Sequence, residues 1–382
     1  MKSNKIRLGE QCVVTSSKRF HLSERITQGV PFYCSKEIIK KFNGEDVTEC
    51  DYISEDLYKK VSNEFGVPKE NDLLITTRGT IGIPYLYKRT DRFYFADGNL
   101  TWIKDFNSNL YSKFLYYWFQ SYEGRKKFEA LAKGTAQKAV PISGIKTLEI
   151  ELPSLKSQKR IADILSAYDD LIENNQKQIK LLEEAAQRLY KEWFVDLRFP
   201  GHENTKIVDG VPEGWSRGLL KELISVNYGK DHKKAPDDGN IPVYGSGGLM
   251  RKCNKSLFSG EAVLIPRKGS LNNIMYVDET FWTVDTMFYA TMKQPHTAVF
   301  VYFFVKAFDM YSMNIGAAVP SMTAKILDAM DVVIPDKETL EKFDKCAKTY
   351  FNKIKTLQGQ NERLKIARDL LLAKLMSGEV EV

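Results

Sequence analysis

The chain has 382 residues, of which 43% are hydrophobic and 27% charged, so its composition is that of a folded globular protein with room for two or three domains. Its longest apolar run is far shorter than the ~20 residues of a membrane helix, it shows no signal peptide, and its five cysteines form no CxxC pair, so we expect a cytoplasmic protein without membrane spans, disulfides or a zinc ribbon. The net charge of +7 weakly indicates an anionic partner.

The positive charge is concentrated in two stretches, one in each half of the chain. Residues 230–268 hold eight basic and four acidic residues, whereas residues 270–335 hold three basic and six acidic ones. The other basic stretch lies within residues 1–150. Clustered lysine and arginine is typical of surfaces that bind phosphate backbones, although a solvated basic surface explains the charges equally well.

Four predicted segments follow one another along the chain. We predict a globular module of mixed α and β structure in residues 1–152 and a long helix in residues 153–199. A second such module follows in residues 200–335, and a second long helix in residues 336–382. The order is therefore module, helix, module, helix.

The first long helix has the alternating three- and four-residue spacing that is typical of a coiled-coil seam. Pro153-Ser154 precedes the helix and Pro200-Gly201 follows it, and both pairs are boundary signals. The predicted seam consists of Leu165, Tyr168, Ile172, Asn175, Ile179, Leu182, Ala186, Leu189 and Trp193.

The second long helix repeats this spacing. Its predicted seam consists of Ala347, Tyr350, Ile354, Leu357, Asn361, Leu364, Arg368, Leu371 and Leu375. Each seam contains one asparagine, and a polar seam residue costs stability but fixes the register of pairing. We therefore expect the two helices to pack against each other in antiparallel fashion. The alternative for each is an amphipathic helix that lies on its own module.

The second module repeats stretches of the first. Residues 241–246 match 30–35, residues 260–270 match 71–80 with one extra residue, and residues 281–285 match 93–97. The sequence match places Arg78 opposite Arg267. The offset between the copies falls along the chain, which puts extra residues near the start of the first copy. The predicted fold class is therefore mixed α/β (α+β), with two modules, two long antiparallel coiled-coil helices and a pseudo-two-fold internal repeat.

Each module also contains a run of large apolar residues, at 114–119 and 300–304. Exposed aromatic runs of this kind stack on nucleic-acid bases in some proteins. Nearly continuous apolar residues are more typical of a buried helix, so we assign both runs to the module cores.

Four short motifs stand near the boundaries of the predicted segments. They are Val-Pro-Glu-Gly-Trp at 211–215, Ile-Pro-Val-Tyr at 241–244, Leu-Pro at 152–153 followed by Gln-Lys-Arg-Ile at 158–161, and Leu-Tyr-Lys-Glu-Trp-Phe at 189–194 before a Pro-Gly exit. Together with the repeat, they make nearly the whole chain resemble the specificity subunits of Type I restriction–modification systems, the HsdS family. The chain departs from the family pattern in two places: the first module lacks the Pro-x-Gly-Trp opening, and the second helix lacks the Gln after its Ile-Pro entry.

The resemblance implies a DNA-recognition subunit with no catalytic residue, metal site or cofactor of its own. In this family two target-recognition modules read the halves of a split, asymmetric target in double-stranded DNA. Two methyltransferase subunits dock on the helices and methylate adenine N6 with S-adenosylmethionine, and two restriction subunits that use ATP and Mg²⁺ can join to cleave DNA. The sequence is consistent with this, since it contains no GxxxxGK[ST], Asn-Pro-Pro-aromatic, GxGxxG or HExxH motif.

In the first module the candidate DNA-contacting residues are basic side chains, a turn with glycine, and the loop 133–138. That loop combines a flexible glycine with two lysines and a glutamine able to form paired hydrogen bonds with adenine. The candidates are Lys18, Arg19, Lys36, Arg78, Gly79, Lys133, Thr135, Gln137 and Lys138. For any single lysine, solvation alone is an equally good interpretation.

In the second module the candidates are basic, aromatic or hydroxyl side chains, beside glycines at 245, 247 and 248 that allow close approach of the backbone to DNA. They are Lys230, His232, Lys233, Lys234, Tyr244, Ser246, Arg251, Lys252, Arg267 and Lys268. A structural role in a turn or core is an equally good interpretation for Tyr244 and the glycines. Arg78 and Arg267 recur in matching turns, which favours phosphate positioning or a structural role over base reading.

Two other classes of function stay open from the sequence. One is a stand-alone DNA-modifying enzyme with an unrecognised site, and the other is a coiled-coil scaffold that does not read DNA. In the specificity-subunit interpretation, the length of the helices is expected to set the spacing between the two half-sites.

Overall fold

The computed structural model of the chain describes residues 4–134, 138–313 and 321–382, apart from the side chain of Lys234. The chain divides into two compact units, the first formed by Met1–Lys177 with Leu357–Val382 and the second by Gln178–Thr356. Within the described ranges, no helix has the length and apolar character that crossing a membrane requires. All five cysteines are free thiols.

The strands of the first unit form three small sheets. Their bounds are Asn4–Arg7 (β1), Val13–Thr15 (β2), Val30–Tyr33 (β3), Asp51–Ile53 (β4), Leu73–Thr76 (β5), Pro84–Leu86 (β6), Tyr94–Phe95 (β7), Leu100–Lys104 (β8) and Glu149–Leu152 (β9). The sheet orders are β1-β9, β2-β8-β5-β6 and β4-β3-β7. Since β1 pairs with β9, the first and last strands of the module close on each other.

Short helices cover these sheets. Their bounds are Ser35–Asn43 (α1), Glu55–Glu64 (α2), Ser112–Gln120 (α3), Tyr122–Glu129 (α4) and Ile142–Lys146 (α5). The aromatic run at 114–119 lies on α3, where Phe114, Leu115 and Trp118 are buried in the core with the strand residues Leu73 and Ile103. The prediction that this run belongs to the core is confirmed.

The second unit contains one large sheet and two short ladders. Its strands are Ile207–Val208 (β10), Val211–Pro212 (β11), Ser216–Leu219 (β12), Ile224–Tyr228 (β13), Ile241–Gly245 (β14), Gly248–Cys253 (β15), Phe258–Pro266 (β16), Met275–Thr283 (β17), Met287–Met292 (β18) and Asp331–Ile334 (β19). The large sheet has the order β13-β18-β16-β17-β14-β15, and β10-β11 and β12-β19 form the ladders. The second aromatic run lies on the buried helix Ala298–Lys306, and a short helix follows at Ala324–Asp328.

The strand topology confirms the internal repeat. The order β2-β8-β5-β6 in the first unit corresponds to β13-β18-β16-β17 in the second, and β4-β3-β7 corresponds to β15-β14-β17. In each unit one neighbouring pair is parallel: Phe32 lies opposite Tyr94, and Val243 lies opposite Trp282. A single long strand, β17, therefore takes the place of both β6 and β7.

The extra residues of the first copy form two helices. In the second unit β14 and β15 are joined by a tight turn, whereas α1 lies between the matching strands β3 and β4. The helix α2 then separates β4 from β5. The two modules therefore share a framework of strands but differ in what is inserted between them.

The two long helices occupy Leu155–Tyr190 and Lys337–Ser377. A π-helical turn, Lys191–Val195, extends the first helix towards its predicted stop. Gln158, the first residue of the Gln-Lys-Arg-Ile motif, is buried near the start of the first long helix. The side-chain amide of Gln158 donates to the carbonyls of Asn109 and Pro153, and these hydrogen bonds connect the helix to the first module.

The second long helix, which lacks this glutamine, begins differently. The Asp336 carboxylate accepts hydrogen bonds from the backbone N–H and the hydroxyl of Thr339, which is an N-cap arrangement. Trp215 Nε1 also donates to Asp336, at 3.0 Å. The tryptophan of the Val-Pro-Glu-Gly-Trp motif thus connects the second module to its helix.

The long helices pair in antiparallel fashion in each unit. In the first unit Arg368 donates to Asp169 at 2.6 Å, and Asn175 donates to Asn361 at 2.9 Å. In the second unit the rings of Trp193 and Phe343 are 5.8 Å apart. The predicted seam is buried at Leu165, Ile172, Asn175, Ile354, Leu357 and Asn361, and half-buried at Ile179, Leu182, Leu189, Leu364 and Leu371.

The Asn175–Asn361 hydrogen bond gives a test of the seam. Both side chains are buried, with 8% and 7% exposure, so replacing Asn175 alone by Leu leaves the Asn361 amide without its partner. We expect the free energy of unfolding to fall by roughly 1–3 kcal/mol in that variant. Replacing both residues by Leu is expected to raise the melting temperature above that of the wild type while loosening the register.

Thermal unfolding of the wild type, the two single variants and the double variant measures these effects. A double variant less stable than either single variant contradicts the pairing.

Candidate nucleic-acid interface

Two adjoining grooves lie on the surface of the first unit, beside the ends of β2 and β5 and the start of β8. They enclose about 640 and 440 Å³ and share Ser16, Ser17 and Asp97 in their linings. Four of the predicted cations line them: Lys18 and Arg19 the first groove, Arg78 and Lys133 the second. The fold therefore brings together basic residues that are far apart in the sequence.

The first groove combines cations with aromatic rings. The ammonium nitrogen of Lys18 lies 4.6 Å from the ring centroid of Phe65, and that of Lys104 lies 4.3 Å from the ring of Trp102. Both distances are within the range of cation–π contacts. The Trp102 indole donates to Asp72 at 2.8 Å, and burial raises the pKa of the Asp72 carboxyl.

The second groove is built around the turn at Arg78. Arg78 is exposed, and Gly79 follows it with φ at 74°, a left-handed conformation that glycine adopts without strain. Lys133 and Ala139 exchange two backbone hydrogen bonds, and this pair closes the base of the loop 133–138. Lys133 and Lys138 are exposed, whereas Thr135 and Gln137 lie outside the described residues.

Lys36 stands apart from these grooves. It lies in the first turn of α1, where its ammonium is 3.3 Å from the carboxylate of Glu37. Glu37 is buried and accepts a hydrogen bond from the backbone N–H of Cys34, so it belongs to the start of the helix. The described lining of the two grooves does not include Lys36.

In the second unit, Lys230, Arg267 and Lys268 lie near one turn, 284–286. The backbone N–H of Lys230 donates to Thr283, and those of Arg267 and Lys268 donate to Thr286. The Arg267 guanidinium lies 5.4 Å from the exposed ring of Tyr228. These cations therefore surround the start of β18.

Ser246 belongs to the same neighbourhood. Its carbonyl accepts a hydrogen bond from Asn273, and its hydroxyl lies against Gly269, where a Cβ atom would be only 2.6 Å away. Gly269 has φ at 86°. This left-handed φ favours glycine, and the contact places Ser246 beside Lys268.

Arg251 has a structural role in the second unit. Its guanidinium pairs with Asp237 and donates to the carbonyls of His232 and Ala235, the latter at 2.7 Å. It therefore holds the loop that carries His232, Lys233 and Lys234. Lys233 is exposed on that loop, while the Lys234 side chain lies outside the described residues.

Tyr244 and Lys252 lie on the adjacent strands β14 and β15. The Tyr244 hydroxyl donates to Glu279 at 2.5 Å, and burial together with this hydrogen bond raises the pKa of the tyrosine. This contact fits the structural interpretation of Tyr244. Lys252 is exposed near the edge of the sheet.

Ion pairing separates the predicted cations into two groups. Arg19 pairs with Asp97 at 2.8 Å, and Lys36 and Arg251 have the carboxylate partners described above. Among the described residues, no carboxylate lies within 4.0 Å of the side-chain nitrogens of Lys18, Arg78, Lys133, Lys138, Lys230, Lys233, Lys252, Arg267 or Lys268. No nearby carboxylate offsets the positive potential of these cations, so they are available to attract an external anion.

The hydrogen-bond ladders correct one sequence equivalence. Arg78 and Lys268 each form an isolated β-bridge and each precede a left-handed glycine, Gly79 or Gly269. Arg78 therefore corresponds to Lys268, and the predicted match of Arg78 with Arg267 is wrong by one residue. The sequence comparison placed arginine opposite arginine, whereas the backbone geometry follows the glycine.

Sequence reasoning missed the aromatic and basic residues of the first groove, Phe65, Trp102 and Lys104. Trp102 and Lys104 lie two residues apart on β8, so they point to the same face of the strand. That period-two pairing of Trp and Lys was the available signal. Phe65 lies at the end of α2, within the segment that the second module does not share, so the repeat could not reveal it.

Both copies of the repeated framework have surface cations without a described carboxylate partner, and such cations favour an anionic partner. The family model for the Type I restriction modification DNA specificity domain matches residues 3–184 and 212–365, and the chain belongs to this family. It is therefore a member of the Type I specificity-subunit family.

Curated relatives carry the same description. The chain is 26% identical over 312 residues to the Type I restriction enzyme MjaIX specificity subunit of Methanocaldococcus jannaschii, which covers 71% of this chain and 69% of the relative. It is also 26% identical over 327 residues to the putative type I specificity subunit S.MgeORF438P of Mycoplasma genitalium, with 82% of each protein covered.

A solved structure shares the fold. The crystal structure of a Type I restriction-modification system S subunit from M. genitalium matches 98% of this chain and 96% of its own, with a TM-score of 0.64 and 19% sequence identity. At this identity the match supports the fold: two mixed α/β modules with two long helices.

Proposed function

We propose that the chain is the non-catalytic DNA-reading subunit of a Type I restriction–modification complex, and that each module reads one half of a split target in double-stranded DNA. The observation that carries this proposal is the repeat of one strand framework with unpaired cations on both copies. Two readers on one chain suit a target with two separated half-sites. Because cellular DNA is the target, the proposal places the protein in the cytoplasm.

The proposed target is asymmetric, because the modules differ in chemistry at matching positions. Thr15 lies opposite Trp102, and Asn227 lies opposite Tyr289, in equivalent strand pairs. Counting from Thr15 and Asn227 makes Arg19 the counterpart of Asp231. A cation and a carboxylate favour different base edges, so the two half-sites are expected to differ in sequence.

Partner subunits complete the proposed complex. Two methyltransferase subunits dock on the long helices and methylate adenine N6 with S-adenosylmethionine, and two restriction subunits contribute ATP- and Mg²⁺-dependent cleavage. Support comes from apolar side chains exposed on these helices, namely Leu171, Leu181, Ile366 and Leu370. Ile366 and Leu370 are four residues apart and therefore share one face of the second long helix, and adjoining exposed apolar side chains are typical of protein contact sites.

DNA binding across a salt series tests the proposal. The chain, with its methyltransferase partner, is mixed with labelled duplexes that do or do not contain the sequence methylated in the source cell. We expect a sequence-selective complex whose affinity falls steeply as the salt concentration rises. The methyltransferase alone is the matched control.

The two other functions give different results. A scaffold that does not read DNA shows no sequence-selective complex and no steep salt dependence. A stand-alone DNA-modifying enzyme modifies DNA when the chain is assayed without partners. Either result overturns the proposed function.

A further inference from the structure

We propose that Lys18 and Arg78 in the first module, and Lys230 and Lys268 in the second, bind the DNA phosphate backbone in the same way in both modules and do not select bases. This inference rests on the proposed function and assigns the backbone contacts within it. It separates a shared, sequence-independent pair of cations from the loops that differ between the modules.

Strand register makes Lys18 and Lys230 equivalent. Each lysine stands three residues beyond a strand residue that has the same place in the repeated sheet, Thr15 or Asn227. The backbone of each is fixed by a hydrogen bond from its N–H group, to the Tyr94 hydroxyl for Lys18 and to a backbone carbonyl for Lys230. The side chains of Lys18 and Lys230 therefore extend from equivalent positions of the repeated sheet.

Turn geometry makes Arg78 and Lys268 equivalent. Arg78 forms an isolated β-bridge with Ala139 and Lys268 forms one with Ser321, and each cation is followed by a glycine in the left-handed conformation. The bridge and the turn hold the backbone of the cation, while its side chain stays exposed. A rigid backbone with an exposed cation is suited to contact a fixed phosphate.

Each pair of cations lies around one acidic turn. Asp97 lines both grooves of the first module, the one that contains Lys18 and the one that contains Arg78. In the second module the corresponding turn is 284–286, which contains the exposed Asp285. The backbone N–H of Lys230 donates to the carbonyl of Thr283, just before this turn, and that of Lys268 donates to the carbonyl of Thr286, at its end. In the first module Arg19 pairs with Asp97, so Lys18 and Arg78 leave that site with net positive charge. In the second module Arg267 joins Lys230 and Lys268, and these three cations outnumber the carboxylates of Asp231 and Asp285.

The surroundings of these cations differ, although the cations themselves recur. The position of Arg19 corresponds to that of Asp231 in the second module, and the position of Thr77 corresponds to that of Arg267. Two half-sites of different sequence still have the same sugar–phosphate backbone, and contacts to that backbone fix orientation without reading bases. The two modules have diverged, yet both keep these cations, and both half-sites keep the same sugar–phosphate backbone. We therefore assign the recurring cations to the backbone.

Equilibrium binding of charge-neutral variants tests the inference. The full chain with its methyltransferase partner is titrated with a duplex that contains the methylation-mapped site and with a scrambled duplex of equal length. For Lys18→Gln with Arg78→Gln, and for Lys230→Gln with Lys268→Gln, we expect affinity for both duplexes to fall roughly 10- to 30-fold at 0.15 M salt. The slope of log affinity against log salt is expected to decrease by about 1.8, and the ratio of the two affinities to stay unchanged.

Two further variants act as controls. Lys60→Gln with Lys126→Gln removes the same charge at exposed positions on α2 and α4 and is expected to change both affinities by less than about twofold. Arg78→Lys with Lys268→Arg exchanges the two cations and should preserve the salt slope. Circular dichroism checks that each variant is folded.

The outcomes are distinguishable. An unchanged salt slope in either neutral variant, or a loss of affinity confined to the specific duplex, overturns the inference while leaving the proposed function intact. If the wild-type complex itself does not prefer the mapped duplex, the proposed function fails instead.

Discussion

Exchanging residues 1–152 for the matching module of another family member is expected to change one half of the methylated DNA sequence and to leave the other half unchanged. The physical reason is that the module closes its own fold, since β1 pairs with β9 over four residues, Asn4 to Arg7. Among the described residues its sheets contain no strand of the second module, and its core is completed by side chains of the two long helices such as Ile161, Leu165 and Leu372. Mapping of N6-methyladenine in cells that carry the chimera measures the change.

The reciprocal exchange of residues 200–335 is the control for this prediction. It is expected to change the other half of the sequence and to retain the half that the first chimera lost. If one exchange altered both halves, the modules would not be independent readers.

Replacing Phe343 by Ala is expected to lower the free energy of unfolding by about 3–5 kcal/mol, the usual cost of removing a large buried ring. Phe343 is fully buried on the second long helix, and its ring centroid lies 4.8 Å from that of Phe194, 5.8 Å from that of Trp193 and 6.2 Å from that of Tyr190. The substitution therefore removes contacts between the two long helices and leaves a cavity among aromatic rings.

Calorimetry or chemical denaturation measures this loss. Lys353→Ala, at an exposed position of the same helix, is the matched control and is expected to change the free energy of unfolding by less than about 0.5 kcal/mol. A Phe343→Ala variant as stable as this control would show that the aromatic cluster does not hold the helices together.

The long helices and the internal repeat were predictable from the sequence, because both depend on local signals. The seam spacing is set by the helical period alone, and Asn175 and Asn361 meet as their shared polar character predicts. The repeat is visible as matched stretches, and the strand order confirms it. The aromatic run of α3 was assigned to the core on its unbroken apolar character.

The site was predictable only as a set of basic residues. Whether a cation is free depends on tertiary neighbours: Arg251 and Arg19 have partners that sequence spacing does not reveal, Asp237 and Asp97. The correspondence of Arg78 with Lys268 required the backbone ladders, because residue identity alone favours a match shifted by one position.

Adenine methylation in cells that express the methyltransferase partner, with and without this chain, tests the central claim most directly. We expect N6-methyladenine at a split, asymmetric sequence, and only when the chain is present. Methylation at the same positions without the chain, or at a continuous sequence that neither module exchange alters, would contradict it.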